Sequence, residues 1–208
     1  LAGIRRQALG ALTFSTNWLE IAGGSNYFAA TSPQLFMNFW SLAVEEQFYL
    51  VWPLLILLAT IRSGHNATAM RRRLLFLFMT VIVVSFAFSL WLTGTSAAYA
   101  YFATPGRFWE FGIGGVLALI PVVPWRAGIR TLVVLSGWAV LAVSVFAFTG
   151  DTPFPGWAAV LPTVGASAVI LAGPDMPRPL RWLVTRRLVQ WLGDQSYGIY
   201  LWHWPLII

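Results

Sequence analysis

Apolar runs recur along the chain at the length a bilayer selects. A hydrocarbon core of ~30 Å takes about 20 residues of helix at about 1.5 Å rise each. Runs of this kind cover 40–61, 74–92, 108–123, 131–148 and 156–172, and a sixth starts near Tyr197 and continues to Ile208. The third and fifth are short, and the fifth carries Pro162. Residues 1–39 mix Asn17, Gly23, Gly24, Ser25, Asn26 and Pro33 with aromatics, which suits an interfacial or re-entrant segment better than a span. Over 180–192, Leu180, Leu183, Val184, Leu188, Trp191 and Leu192 fall at helical spacing with Arg181 and Arg186 off that face. This reads either as an in-plane interfacial helix or as a loop helix with a basic side. The pattern predicts an all-α polytopic transmembrane helix bundle of about six spans, forming a single membrane-embedded domain over 1–208.

Composition supports the same class. Hydrophobic residues make up 58% of the 208 and charged residues 10%, against about 45–50% and about 25% in soluble domains. All thirteen basic residues are arginine. Without lysine there is no Walker phosphate loop and no Schiff-base chemistry. Without cysteine there is no thiolate nucleophile or thiolate metal site. Arg62, Arg71, Arg72 and Arg73 lie between the first two runs, Arg126 and Arg130 between the third and fourth, and Arg178, Arg181, Arg186 and Arg187 after the fifth. The intervening connections, 93–104 and 149–155, carry none. Such alternation follows the positive-inside rule and places the basic loops in the cytoplasm. The net charge of +6 is therefore a topology signal. A nucleic-acid surface would gather its cations on one face, so no nucleic-acid partner is expected. Asn66-Ala67-Thr68 spells a glycosylation sequon, but on an inner loop it is not one.

Ionisable groups at membrane depth are costly, about 2.5–3.5 kcal/mol on insertion scales, and mark functional candidates. In Trp40-Ser41-Leu42-Ala43-Val44-Glu45-Glu46-Gln47-Phe48-Tyr49, a helix puts Ser41, Glu45, Phe48, Tyr49 and Trp52 on one face. Glu46 points about 100° away. The two acids are either site groups or dipole partners at a helix start. In Arg107-Phe108-Trp109-Glu110-Phe111 the arginine and glutamate are three apart and can pair. That pair is either structural or an anchor for an anionic donor. Gly112, Gly114 and Gly115 follow it and allow close helix approach. Ser196, Tyr200 and His203 form a stripe beside Tyr197, where His203 is either a proton carrier or a structural histidine. His65 has no assigned role. Asn17 and Asn38 each lie close to a tryptophan and either orient a substrate or, the favoured reading, serve as turn or cap residues.

Taken together, these segments resemble the acyltransferase 3 family of integral-membrane O-acyltransferases that modify bacterial surface glycans. The signature match is Phe39-Trp40-Ser41-Leu42-Ala43-Val44-Glu45-Glu46-Gln47-Phe48-Tyr49-Leu50-Val51-Trp52-Pro53. Arg107 to Phe111 resembles the family's arginine-x-x-x-phenylalanine motif. Gly193-Asp194-Gln195-Ser196-Tyr197 through Trp202-His203-Trp204-Pro205 resembles its late motif. Asn17-Trp18 and Tyr27-Phe28 fit the preceding segment, so the match runs from about residue 5 to the end. Many members carry a histidine where this chain has Asn38, which cannot exchange a proton near neutral pH.

The resemblance implies transfer of an acyl group, usually acetyl, from cytoplasmic acyl-coenzyme A to a hydroxyl of a surface carbohydrate, at the bacterial cytoplasmic membrane. Lipid, glycan acceptor and acyl-coenzyme A are the expected partners, with no bound cofactor and no metal. Glu45, Arg107 and Tyr49 are the expected catalytic groups, and Trp40, Ser41, Glu46, Glu110, Ser196, Tyr197, Tyr200 and His203 the expected substrate-binding ones. The resemblance also implies about ten spans with a catalytic histidine in the first, upstream of Leu1. The chain accordingly reads as a fragment that is inactive alone. The rival class is a transporter or scaffold bundle, but the paired repeats of many transporters are not evident here.

Overall fold

The computed structural model describes residues 2–25, 34–61, 66–121, 125–173 and 178–207, and all regular structure among them is helical. Asn26, Tyr27, Phe28, Pro33, Arg62 and His65 lie outside the described residues. Among the described residues three helices are long and apolar enough to cross a membrane: α3 (Phe39–Thr60), α4 (Ala67–Thr95) and α7 (Ala127–Ala147). Two shorter apolar helices, α6 (Phe108–Leu119) and α8 (Val160–Ala172), correspond to the third and fifth runs. The short α1 (Ala2–Leu12) and α2 (Thr16–Ala22) precede them, and neither is long enough to cross. Exposed side chains such as Leu50, Leu58, Phe76 and Phe146 are apolar, whereas Thr16, Asn17, Glu20 and Ser89 are buried. Polar groups inside and apolar groups outside is the arrangement lipid requires of a multi-pass protein.

The chain forms two compact units, Leu1–Pro121 with Gly150–Val160, and Val122–Thr149 with Leu161–Ile208. In the first, α4 buries Leu74, Phe78, Ser85, Ser89 and Leu92 along one stripe, and α6 packs closely on α4. A methyl group on Gly112 would lie 2.8 Å from Ile82 Cγ1, and one on Gly115 would lie 2.9 Å from the Phe78 ring and 3.0 Å from that of Trp52. Gly114 faces open space, so two of the three expected glycines serve the packing. The C-terminal end of α6 is closed by Arg71, whose Nε and Nη2 both donate to the Leu119 carbonyl at 3.3 Å. A cation suits that negative end of the helix dipole. Asn66 of the discarded sequon caps α4, its Oδ1 accepting from the Ala69 N–H at 2.9 Å.

In the second unit α7 and α8 meet at small residues, a methyl on Gly137 falling 2.8 Å from the Gly165 carbonyl oxygen. The 180–192 stretch is not one helix. It is α9 (Arg178–Val184) followed by α10 (Arg187–Ile207), with the Gln190 side chain donating to the Val184 carbonyl at 2.7 Å. The last helix therefore begins ten residues before Tyr197. Gly193 and Gly198 cost the helix only about 1 kcal/mol each and do not end it.

A polar knot ties the first unit together upstream of Arg107. Between α4 and α6 lie α5 (Ala97–Phe102) and a 3₁₀ turn, Thr104–Gly106. Gln47, in the third turn of α3, uses its whole hydrogen-bonding capacity. Its Nε2 donates to the Phe14 carbonyl (2.8 Å) and to Asn17 Oδ1 (3.0 Å). Its Oε1 accepts from Trp18 Nε1 (3.1 Å) and Thr104 Oγ1 (2.7 Å). Asn17 Nδ2 in turn donates to the Phe102 carbonyl and to Thr104 Oγ1, at 3.1 and 2.9 Å. Asn17 is thus a buried bridge and not the expected turn or cap. Asn38 takes the N-cap position of α3 but makes no capping bond. Phe14 turns the corner between α1 and α2 at φ 51°, and Gln47 satisfies the carbonyl exposed there.

Two outcomes follow from this packing. Gly115→Val destabilises the protein by about 1–3 kcal/mol through overpacking, whereas Gly114→Val leaves it unchanged, as read by thermal unfolding in detergent. Gln47→Leu orphans donors and acceptors on three elements and costs about 2–3 kcal/mol. A double-mutant cycle with Thr104→Val shows the coupling, because both lose the same bond.

Candidate functional site

The polar knot ends at the residue that opens α6. Thr104, held through its hydroxyl by Gln47 and Asn17, accepts the Arg107 N–H on its carbonyl at 3.0 Å. Ser85 on α4 fastens the same turn from the other side. Its hydroxyl donates to the Pro105 carbonyl at 2.6 Å and accepts from the Trp109 N–H at 3.0 Å. Backbone fixed on both flanks leaves Arg107 little freedom.

The Arg107 side chain is only 13% exposed and lies in a box of aromatic rings. Its Cζ is 5.6 Å from the Trp40 centroid, 5.8 Å from Tyr101 and 5.2 Å from Phe154. All three fall within the ~6 Å range of cation–π attraction. Nη1 donates to both carboxylate oxygens of Glu110, at 3.0 and 3.3 Å. Nε is buried and without a hydrogen-bond partner among the described residues. The charge is therefore neutralised on one edge and faced by π-systems, with a donor left over.

The first two sequence motifs interlock here. Trp40 packs on Tyr101 and Phe102. Phe111, the last residue of the second motif, stacks on Phe48 of the first with centroids 4.0 Å apart. Phe108 meets the same ring at its edge, and Trp52 lies parallel to Phe78 at 4.9 Å. Met37, Trp40, Val44 and Phe102 form the core beneath.

Of the expected site residues, Trp40, Arg107 and Glu110 come together. Glu45 and Tyr49 form a second pair one helical turn apart, the phenol donating to the carboxylate at 2.6 Å. Tyr49 is 55% exposed. Ser41 and Glu46 are half-buried on α3. In the other unit, α10 carries Ser196, Tyr197, Tyr200 and His203. Ser196 donates to the Gly193 carbonyl at 2.7 Å, and Tyr197 is exposed. His203 Nδ1 lies 2.7 Å from the Tyr200 carbonyl and 3.2 Å from that of Ile199. The Tyr200 and His203 rings are in contact at 5.6 Å.

Sequence reasoning passed over Gln47, Thr104, Phe154 and the buried acid Glu20. A signal for the last existed, since Thr16, Asn17 and Glu20 share one face of α2 and all three are buried. Glu20 Oε2 has no hydrogen-bond partner among the described residues. No group of three or more His, Asp or Glu among the described residues gathers to hold a metal ion.

Comparison with known proteins bears on this arrangement. The chain is 29% identical over 225 residues to the peptidoglycan O-acetyltransferase OatA of Listeria monocytogenes, covering 100% of this chain and 34% of that protein. It is 28% identical over 218 residues to the O-acetyltransferase OatA of Staphylococcus aureus, covering 99% of this chain and 35% of the relative. The chain thus spans about a third of the length of the curated relatives it matches. No solved structure matches it significantly. A family model described as an acyltransferase domain matches residues 6–208, so both interlocked motifs lie inside the match and the chain belongs to the acyltransferase 3 family.

Proposed function

We propose that this chain forms membrane-embedded machinery of an O-acyltransferase that moves an acetyl group from cytoplasmic acyl-coenzyme A to a hydroxyl of a cell-surface glycan. The membrane is the bacterial cytoplasmic membrane, and peptidoglycan is the favoured acceptor, in keeping with what the Listeria relative is named for. The observation that carries the reading is the convergence of Trp40 and Glu110 on a boxed Arg107 that retains a buried donor.

Acyl transfer needs the acceptor oxygen to attack the thioester carbon, a base about 2.6–3.2 Å from that hydroxyl, and donors facing the developing oxyanion. Arg107 stays charged and cannot act as base. It acts as an anion anchor, toward the thioester oxygen in transfer or toward a donor phosphate. Glu110 holds the guanidinium in register, and the aromatic walls keep water away. A low-dielectric setting of this kind makes each such contact worth more than in water. Glu45 and Tyr49 orient the acceptor hydroxyl, with Trp40, Ser41 and Glu46 lining its approach. Ser196, Tyr197, Tyr200 and His203 on α10 are further substrate-binding groups of the same reading. The resemblance assigns the base itself to a histidine.

Substitution in the full-length protein tests the assignment, with base-labile acetate on isolated cell wall as readout and membrane content checked by immunoblot. Arg107→Gln lowers acetate by about 10²–10³-fold, and Arg107→Lys does not restore it because lysine lacks the planar fork. Glu45→Gln also loses transfer. Wild-type acetate in Arg107→Gln at normal membrane content removes Arg107 from the reaction.

A further inference from the structure

A second site lies at the other end of α3 and α4, independent of the acyl-transfer reading. There the two helices leave an open groove of about 620 Å³, lined by Leu55, Leu58, Phe76 and Leu77, with Arg72 and Arg73 at one end and Thr80 at the other. Eight residues separate Arg72 from Thr80, so the groove runs about 12 Å along α4. Leu58 and Phe76 are largely exposed, so the groove opens toward lipid. Among the described residues that line the groove, Arg72 and Arg73 are the charged ones and none is acidic.

We propose that this groove holds one acyl chain of an anionic phospholipid from the cytoplasmic leaflet, with the phosphate at Arg72 and Arg73. Basic pockets between transmembrane helices on the cytoplasmic side favour anionic headgroups, and the arginine pattern of the loops puts this end inside. The wall decides between a lipid tail and the other amphiphile with phosphates, coenzyme A. The pantetheine arm of coenzyme A carries two amides that would need partners here. Thr80 is the hydroxyl on the wall, and it already donates to the Phe76 carbonyl at 2.8 Å. An alkyl chain makes no such demand. The volume falls within the range of small-molecule sites.

The test uses the full-length protein, delipidated in mild detergent and titrated with phosphatidylglycerol or with phosphatidylcholine of identical chains, read by native mass spectrometry. The wild type retains phosphatidylglycerol over phosphatidylcholine, and Arg72→Gln with Arg73→Gln weakens the adduct about 30-fold, about fivefold per arginine. Ala59→Trp fills the groove and weakens the adduct with both arginines intact, which decides the matter should the double variant fail to fold. Equal retention of the two lipids by the wild type overturns the proposal. So does unchanged phosphatidylglycerol binding in the double variant, or displacement of the lipid by coenzyme A.

Discussion

Gln47 illustrates the constraint on which the first unit depends: a polar group away from water must find every partner inside the protein. Its two donors and two acceptor positions go to Phe14, Asn17, Trp18 and Thr104. These four residues come from α2, the corner before it and the 3₁₀ turn. Because an unmet amide in hydrocarbon costs several kcal/mol, the three pieces are locked in one arrangement and not merely packed. The non-helical corner at residues 13–15 is tolerable for the same reason.

Rigidity at Thr104 passes directly to Arg107, since the 3₁₀ turn is shared. A guanidinium with one carboxylate and three rings around it is balanced, but its position depends on backbone held by Gln47 on one side and Ser85 on the other. The aromatic contacts Phe48–Phe111 and Trp52–Phe78 bring α3, α6 and α4 to the same spot without any polar requirement. Directional bonds thus set where the arginine stands, and dispersion fills the space around it.

Periodicity made the long elements readable. The runs at 40–61 and 131–148 nearly coincide with α3 and α7, because twenty apolar residues admit one solution in lipid. The Arg107–Glu110 pair was also legible, because spacing of three along a helix is local geometry. The role of Gln47 was not, since its partners lie 29 to 57 residues away in sequence. Phe154 was hidden likewise, reaching Arg107 from a loop 47 residues on. The start of α10 was not legible from the apolar run near Tyr197, because the ten residues before it are more polar and still continue the helix. Asn17 looked like a cap because only the folded chain brings the Phe102 carbonyl and Thr104 to it.

The brevity of α6 has a consequence for depth. Twelve residues rise about 18 Å, well short of the ~30 Å hydrocarbon layer. With Arg71 pinning the far end of α6 at Leu119, Arg107 at its start stands about 18 Å along the helix axis from that contact. A short apolar helix of this kind is matched by thinner lipid, so this flank of the bundle favours a bilayer that thins beside it.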